Sequence, residues 1–158
     1  MNIPMKVCGV FADPNTEAHV IILKDTGETD VLPIWVGTTE SNAIRFALEG
    51  ILPKRPQTHD LLKDILQRLE IQIEKVVITD IHDNVYYAEL SLRQKWSEQS
   101  APEPEEWVVD ARPSDAIALA LWMNAPIYTS EEVFSKKGGD DLNRWLEQLK
   151  PSDFNPSV

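Results

Sequence analysis

The stretch Asp110-Ala111-Arg112-Pro113-Ser114-Asp115 runs straight into Ala116-Ile117-Ala118-Leu119-Ala120-Leu121. Two carboxylates and a guanidinium are thereby set at the start of a strongly apolar helix. Pro113 and Ser114 suit a first turn, and Asp115 stands where the helix dipole favours an anion. A helix this apolar has to be covered by the rest of the fold, yet an unpaired charge is costly to bury. The cluster is therefore either an internally paired structural knot or a functional site.

The elements around it are short. Residues 6–12 read as a strand, Asp13-Pro14-Asn15 as a turn and residues 18–23 as a second strand. After the tight turn Asp25-Thr26-Gly27, residues 31–36 make a third strand that ends at Gly37, which predicts an antiparallel meander. Thr38 or Thr39 can cap a helix to about Glu49, with Gly50 as its stop. Leu52-Pro53-Lys54-Arg55-Pro56-Gln57 is a stiff, extended connector. Thr58 caps a second helix to about Glu70, with Leu61, Leu62, Ile65, Leu66 and Leu69 as its apolar stripe.

Residues 71–79 read as a strand in which Val76-Val77-Ile78 is buried on both faces, and His82-Asp83-Asn84 turns the chain into a strand over 85–92. An acidic, proline-containing loop over 96–106 leads to a short strand, 107–109, that feeds Asp110. The apolar helix, 114–123, ends at Asn124, residues 126–128 are extended, and Ser130 caps a short helix over 131–134. Beyond Gly138-Gly139, Leu142, Trp145, Leu146 and Leu149 fall at i, i+3, i+4 and i+7, which predicts an amphipathic C-terminal helix. Too short to be stable alone, it must dock on the body or on a partner chain. The pattern indicates an α+β fold: a largely antiparallel sheet with interspersed helices and that C-terminal helix. Residues 1–135 form the expected domain, and 136–158 a link and the terminal helix.

With 158 residues, 42% of them hydrophobic, the chain can build one domain with a core. It carries 26 acidic against 15 basic residues, a formal charge of -11, which repels phosphate backbones on average. A nucleic-acid reading therefore needs a local basic spot or a bound cation that inverts the field. The single cysteine, Cys8, lies in an apolar run and reads as a small buried core residue; a lone cysteine also fits a reducing compartment. No signal-peptide core and no run of about 20 apolar residues is visible, so a soluble, cytoplasmic protein with no membrane partner is expected.

Four sets of residues can carry chemistry, each with a structural reading beside it. Thr58-His59-Asp60 puts a histidine and an acid in the first turn of a helix, where free N–H groups face an anion; the plain reading is two capping residues and a solvated histidine. Asp80-Ile81-His82-Asp83 has the residue types of a hard-cation site, but Asp83 also suits an ordinary turn. Asp110, Arg112 and Asp115 suit phosphate and metal chemistry, or an internal Arg–Asp pair. Glu40 and Glu49 lie nine positions apart, about 180° around one helix, and cannot share a compact site. Lys54 and Arg55 make the one obvious basic spot in this half of the chain. Glycine-rich phosphate loops, G-x-S-x-G, paired C-x-x-C and H-E-x-x-H are all missing from the sequence.

In order along the chain stand Leu32-Pro33-Ile34-Trp35-Val36-Gly37 with Glu40, Leu48-Glu49-Gly50, Arg55-Pro56 and Thr58-His59-Asp60-Leu61-Leu62. Val77-Ile78-Thr79-Asp80, Tyr86-Tyr87-Ala88, the Asp110–Ala120 stretch and Pro126-Ile127-Tyr128 follow. This series, over about residues 5–135, resembles the bifunctional nuclease family, the DNase/RNase domain. The resemblance implies an α+β fold, homo-oligomeric assembly and cutting of both DNA and RNA. The recurring polar positions of that family correspond to Glu40, Glu49, His59, Asp60, Asp80, Asp110, Arg112 and Asp115. The acidic loop departs from the pattern, and the tail after Lys136 lies outside it.

Two readings stand. In the first, the protein is a nuclease assisted by a divalent metal, Mg²⁺ or Mn²⁺, with no organic cofactor. Asp80, Asp110 and Asp115 hold the metal, and His59, Asp60, Asp110, Arg112 and Asp115 form the catalytic set. His59 activates water, Arg112 steadies the phosphate, and Lys54 and Arg55 guide the DNA or RNA strand. In the second, it is a non-catalytic oligomeric binding or regulatory module in which Arg112 pairs with Asp110 or Asp115. The first places the acids in a solvent-filled cleft, and the second turns them on one another.

Overall fold

The computed structural model describes residues 1–13, 16–27, 29–95 and 105–136. Along the chain run β1 (Asn2–Ala12), β2 (His19–Asp25), β3 (Val31–Val36), α1 (Thr38–Glu49), α2 (Thr58–Arg68), β4 (Ile71–His82), β5 (Val85–Gln94), β6 (Glu106–Ala111), α3 (Pro113–Met123), β7 (Ile127–Ser130) and α4 (Glu131–Lys136). The fold is α+β, as the sequence pattern predicts. The strands form one sheet ordered β3-β2-β1-β7-β4-β5-β6. Neighbours are antiparallel except β4 and β7, which run parallel because α3 carries the chain back over the sheet before β7 enters between β1 and β4.

Local turn chemistry sets these pairings. The Asp25 carboxylate accepts hydrogen bonds from the Thr29 and Asp30 backbone N–H groups at 2.7 and 2.9 Å, which closes the β2–β3 turn. Asp83 and Asn84 both take left-handed φ values, 49° and 61°, the backbone of a two-residue hairpin between β4 and β5. Gly50 and Asn124 end α1 and α3 in the same left-handed conformation.

The helices sit on the core face. α3 packs on β4 and β5 with α1 and α2 on its flanks, and α4 lies against β4 and β7. Ala116 through Ala120 are all buried, so α3 is covered on every side. Val76, Val77 and Ile78 are buried as the sequence predicts. Lys63 of α2 sets its ammonium 5.1 Å from the Trp122 ring centre and ties α2 to α3. Among the described residues no helix is long and apolar enough to cross a membrane.

Three expectations need correction, and two fall outside the described residues. Cys8 is exposed, not buried: strand alternation places it with Asn2, Pro4 and Lys6 on the outward side of β1, and the bulge between Val7 and Gly9 then moves the next core-facing position to Val10. A Cβ at Gly9 would stand 2.9 Å from the Phe11 ring, so a larger residue there would have to push that ring aside. The N-cap of α2 is Gln57 rather than Thr58. The stripe of α2 is largely uncovered: Leu61, Leu62, Ile65 and Leu69 are exposed, and Leu66 alone packs against the core. Most of the acidic loop, residues 96–104, and the expected C-terminal helix lie outside the described residues.

Candidate active site

α1, α2 and α3 begin beside one another, and each delivers a polar side chain from its first turn. Glu40 comes from α1, His59 from α2 and Asp115 from α3, while Arg112 is the N-cap residue of α3. Pro113 holds Arg112 extended, at φ -66° and ψ 143°, since the residue before proline is barred from the helical region. From that position the guanidinium folds back onto Asp115, three residues on.

The four side chains form a continuous chain of contacts. His59 Nε2 lies 2.9 Å from Asp115 Oδ1. Arg112 grips the same carboxylate side-on, Nε donating to Oδ2 at 2.9 Å and Nη2 to Oδ1 at 3.2 Å. Its Nη1 donates to Glu40 Oε1 at 3.1 Å. Exposure rises from 14% for the His59 side chain through 31% for Asp115 to 63% for Arg112, and falls again to 24% at Glu40. His59 is therefore held in place while Arg112 faces solvent. The imidazole borders a small gap between α1 and α3 lined by Ala43, Phe46 and Trp122.

Each charge in the chain is tuned by its neighbours. Burial pushes the Asp115 carboxyl up, but the hydrogen bonds from Arg112 and His59 outweigh it and hold the group below the ordinary aspartate range. Glu40 is also held low, first by its own backbone N–H and then by Arg112. The guanidinium is pushed up by Asp115 and by Glu40. In a neutral His59 ring, an Nε2–H donated to Asp115 leaves Nδ1 as the basic lone pair. Among the described residues Nδ1 has no hydrogen-bond partner.

This cluster forms the polar end of an open cleft of about 720 Å³. The other walls are apolar and come from α2, β5 and β6, with Leu62, Ile65, Leu90 and Leu92 among them. The acids thus meet both descriptions offered by the sequence: they are paired with one another through Arg112, and they border a solvent-filled cleft.

The remaining predicted residues do not join the cluster. Asp110 borders the cleft but lies on β6 between Val109 and Ala111, which oppose the core-facing Leu90 and Ala88. Strand alternation therefore carries its carboxylate to the far face, opposite Glu89. Asp60 is buried and accepts the Gln57 backbone N–H at 2.9 Å, closing a capping box. Asp80 is paired with Lys136 at 2.6 Å, and that ammonium holds its carboxyl low. Glu49 ends α1 at the opposite extremity from Glu40. Lys54 and Arg55 are exposed in the connector that leads into α2.

No three His, Cys, Asp or Glu side chains among the described residues are grouped to hold a metal. Asp80, Asp110 and Asp115 are therefore not brought together, and the donors do not fit a preformed divalent site. The residue that spacing missed is Glu40. Its role depends on Arg112, 72 positions away, and no local pattern announces it.

Comparison with known proteins places the chain in a family. Residues 21–141 match the family described as the bifunctional nuclease domain. An uncharacterized protein of Mycobacterium tuberculosis is 32% identical over 85% of this chain and 75% of its own length. Bifunctional nuclease 1 of Oryza sativa subsp. indica is 31% identical over 76% of this chain, and bifunctional nuclease 2 of Arabidopsis thaliana is 28% identical over 79%. The matched region spans only 35% and 37% of those two plant proteins.

Proposed function

The chain belongs to the bifunctional nuclease domain family, and from that premise we propose that it hydrolyses phosphodiester bonds in DNA and RNA at the His59–Asp115–Arg112–Glu40 cluster. The observation that carries this reading is the oriented histidine. His59 lines the wall of an open cleft and is held by Asp115 through Nε2, and its Nδ1 is left without a partner among the described residues. Asp115 fixes the ring and stabilises the imidazolium that forms when Nδ1 takes a proton from an attacking water.

Arg112 supplies the positive charge. A guanidinium has five N–H donors, and three are engaged by Asp115 and Glu40. One N–H on Nη1 and one on Nη2 remain for phosphate oxygens, where they would steady the charge of the transition state. Glu40 positions the guanidinium from the opposite side to Asp115. Lys54 and Arg55, just ahead of α2, add positive charge for an incoming strand. Assistance by Mg²⁺ or Mn²⁺ rests on the residue types alone, and no step of this chemistry runs through a metal.

A rival reading draws on a specific observation: Arg112 is already balanced by two carboxylates, as in a non-catalytic binding or regulatory module. One experiment separates them. Fluorescent DNA and RNA oligonucleotides are incubated with wild type and with His59→Ala, in Mg²⁺, Mn²⁺ or EDTA. The nuclease reading expects wild type to cut and His59→Ala, still folded, to lose about 10²–10⁴-fold in rate. Equal cutting by both preparations, or none by either, refutes it.

A further inference from the structure

We propose that the apolar part of the cleft seats one unpaired nucleobase, so that this site takes single-stranded nucleic acid and turns away duplex. The inference rests on the phosphodiesterase reading for its choice of ligand, and on the shape and chemistry of the cleft for the rest. The cavity of about 720 Å³ is continuous from Arg112 and His59 to an aliphatic floor made by Leu62, Ile65 and Leu66 of α2 with Leu90 and Leu92 of β5. Leu62 and Ile65 are 41% and 45% exposed, a wet apolar surface that gains by being covered.

A nucleotide carries the same two characters in the same order. Its phosphate is an anion for the two remaining Arg112 N–H groups, and its base offers an apolar face to the floor. In a duplex those faces are stacked and unavailable unless the base is first extruded. Charge acts in the same direction. Duplex DNA carries about one charge per 1.7 Å of axis, against about one per 3.4 Å for a single strand. A chain of formal charge -11 whose cleft, among the described residues, is lined by one cation, Arg112, tolerates the sparser ligand better. The five floor side chains are aliphatic and cannot hydrogen-bond a base edge, and the polar lining residues Thr39 and Thr58 come from the first turns of α1 and α2, so the floor itself is tolerant of sequence.

The test is equilibrium binding by fluorescence anisotropy, using a phosphorothioate-linked thymidine octamer that resists cutting. The same octamer with abasic sites, and the octamer annealed in a duplex, are the comparisons. The proposal expects the abasic strand and the duplex each to bind about tenfold more weakly than the octamer, the worth of covering one base face. Ile65→Asn and Leu62→Asn, neutral changes at partly exposed positions outside the charged cluster, should weaken the octamer about tenfold and leave the abasic strand unchanged. Equal affinity for octamer and abasic strand, or no binding of any strand, overturns the subsite. Discriminating binding together with failure of the cleavage experiment above would instead refute the nuclease reading and leave the base subsite standing.

Discussion

Arg112→Lys keeps the charge of the cluster and removes its geometry. Arg112 engages two carboxylates at once, with Nε and Nη2 on Asp115 at 2.9 and 3.2 Å and Nη1 on Glu40 at 3.1 Å. An ammonium is a point donor and cannot span both carboxylates while presenting an ordered pair of N–H groups to a phosphate. The stability cost is small, because the Arg112 side chain is 63% exposed and such pairs contribute about 0.2–1 kcal/mol. For a domain of this size, 1 kcal/mol lowers the melting temperature by about 2–4 °C. The catalytic cost is larger, since losing an oriented donor at developing charge costs about 10²–10³ in rate, roughly 3–4 kcal/mol. Thermal melting and single-turnover oligonucleotide cleavage on the same preparation read the two separately. Cleavage within about threefold of wild type refutes the role given to the guanidinium. A fall in melting temperature well beyond about 4 °C refutes the claim that its contribution is chemical and not structural.

Three further outcomes follow from the same geometry. In Gly37→Ala the new methyl would stand 2.7 Å from Glu40 Oε2, while φ of -76° suits alanine; the Glu40 side chain should swing off Arg112, with near wild-type melting but slower cleavage, and unchanged cleavage contradicts the role of Glu40. Asp115 and Glu40 are both held low, so their contribution to stability is whole above the unfolded carboxylate values and is lost as pH falls through the lower folded ones, below about pH 4; melting curves across that window should slope in wild type and flatten in Asp115→Asn. Burial pushes the Tyr86 hydroxyl up to about 12 from its ordinary 10, so its contribution is present below pH 10 and lost as pH rises towards 12; Tyr86→Phe should remove that alkaline slope, while losing a hydrogen bond to the Pro33 carbonyl that is worth about 1 kcal/mol.

What the sequence made legible was local. Arg112 and Asp115 are three residues apart across a proline-started helix, so their meeting followed from capping grammar. The hairpin at Asp83-Asn84 and the buried run Val76-Val77-Ile78 were legible in the same way. Contacts between elements were not: His59 meets Asp115 from 56 positions away, and Glu40 meets Arg112 from 72. Spacing on α1 correctly separated Glu40 from Glu49, but could not say what Glu40 would touch. The separation of Asp110 from the other side chains was not legible either, because β6 was expected to stop at residue 109. The strand continues to Ala111, and one more residue of alternation turns the Asp110 carboxylate away from the cluster. Asp60 was obscured by Thr58, which looks like the cap, whereas Gln57 takes that position and commits Asp60 to it.

The central claim is that His59 and Asp115 act as one unit on a phosphodiester. The most direct test is single-turnover cleavage of a single-stranded oligonucleotide by wild type, His59→Ala, Asp115→Asn and the double variant, each shown to be folded. If the two side chains form one device, either change alone removes most of the rate and the double variant is no slower than the worse single one. Losses that multiply, or a double variant that still cuts like wild type, would contradict the assignment.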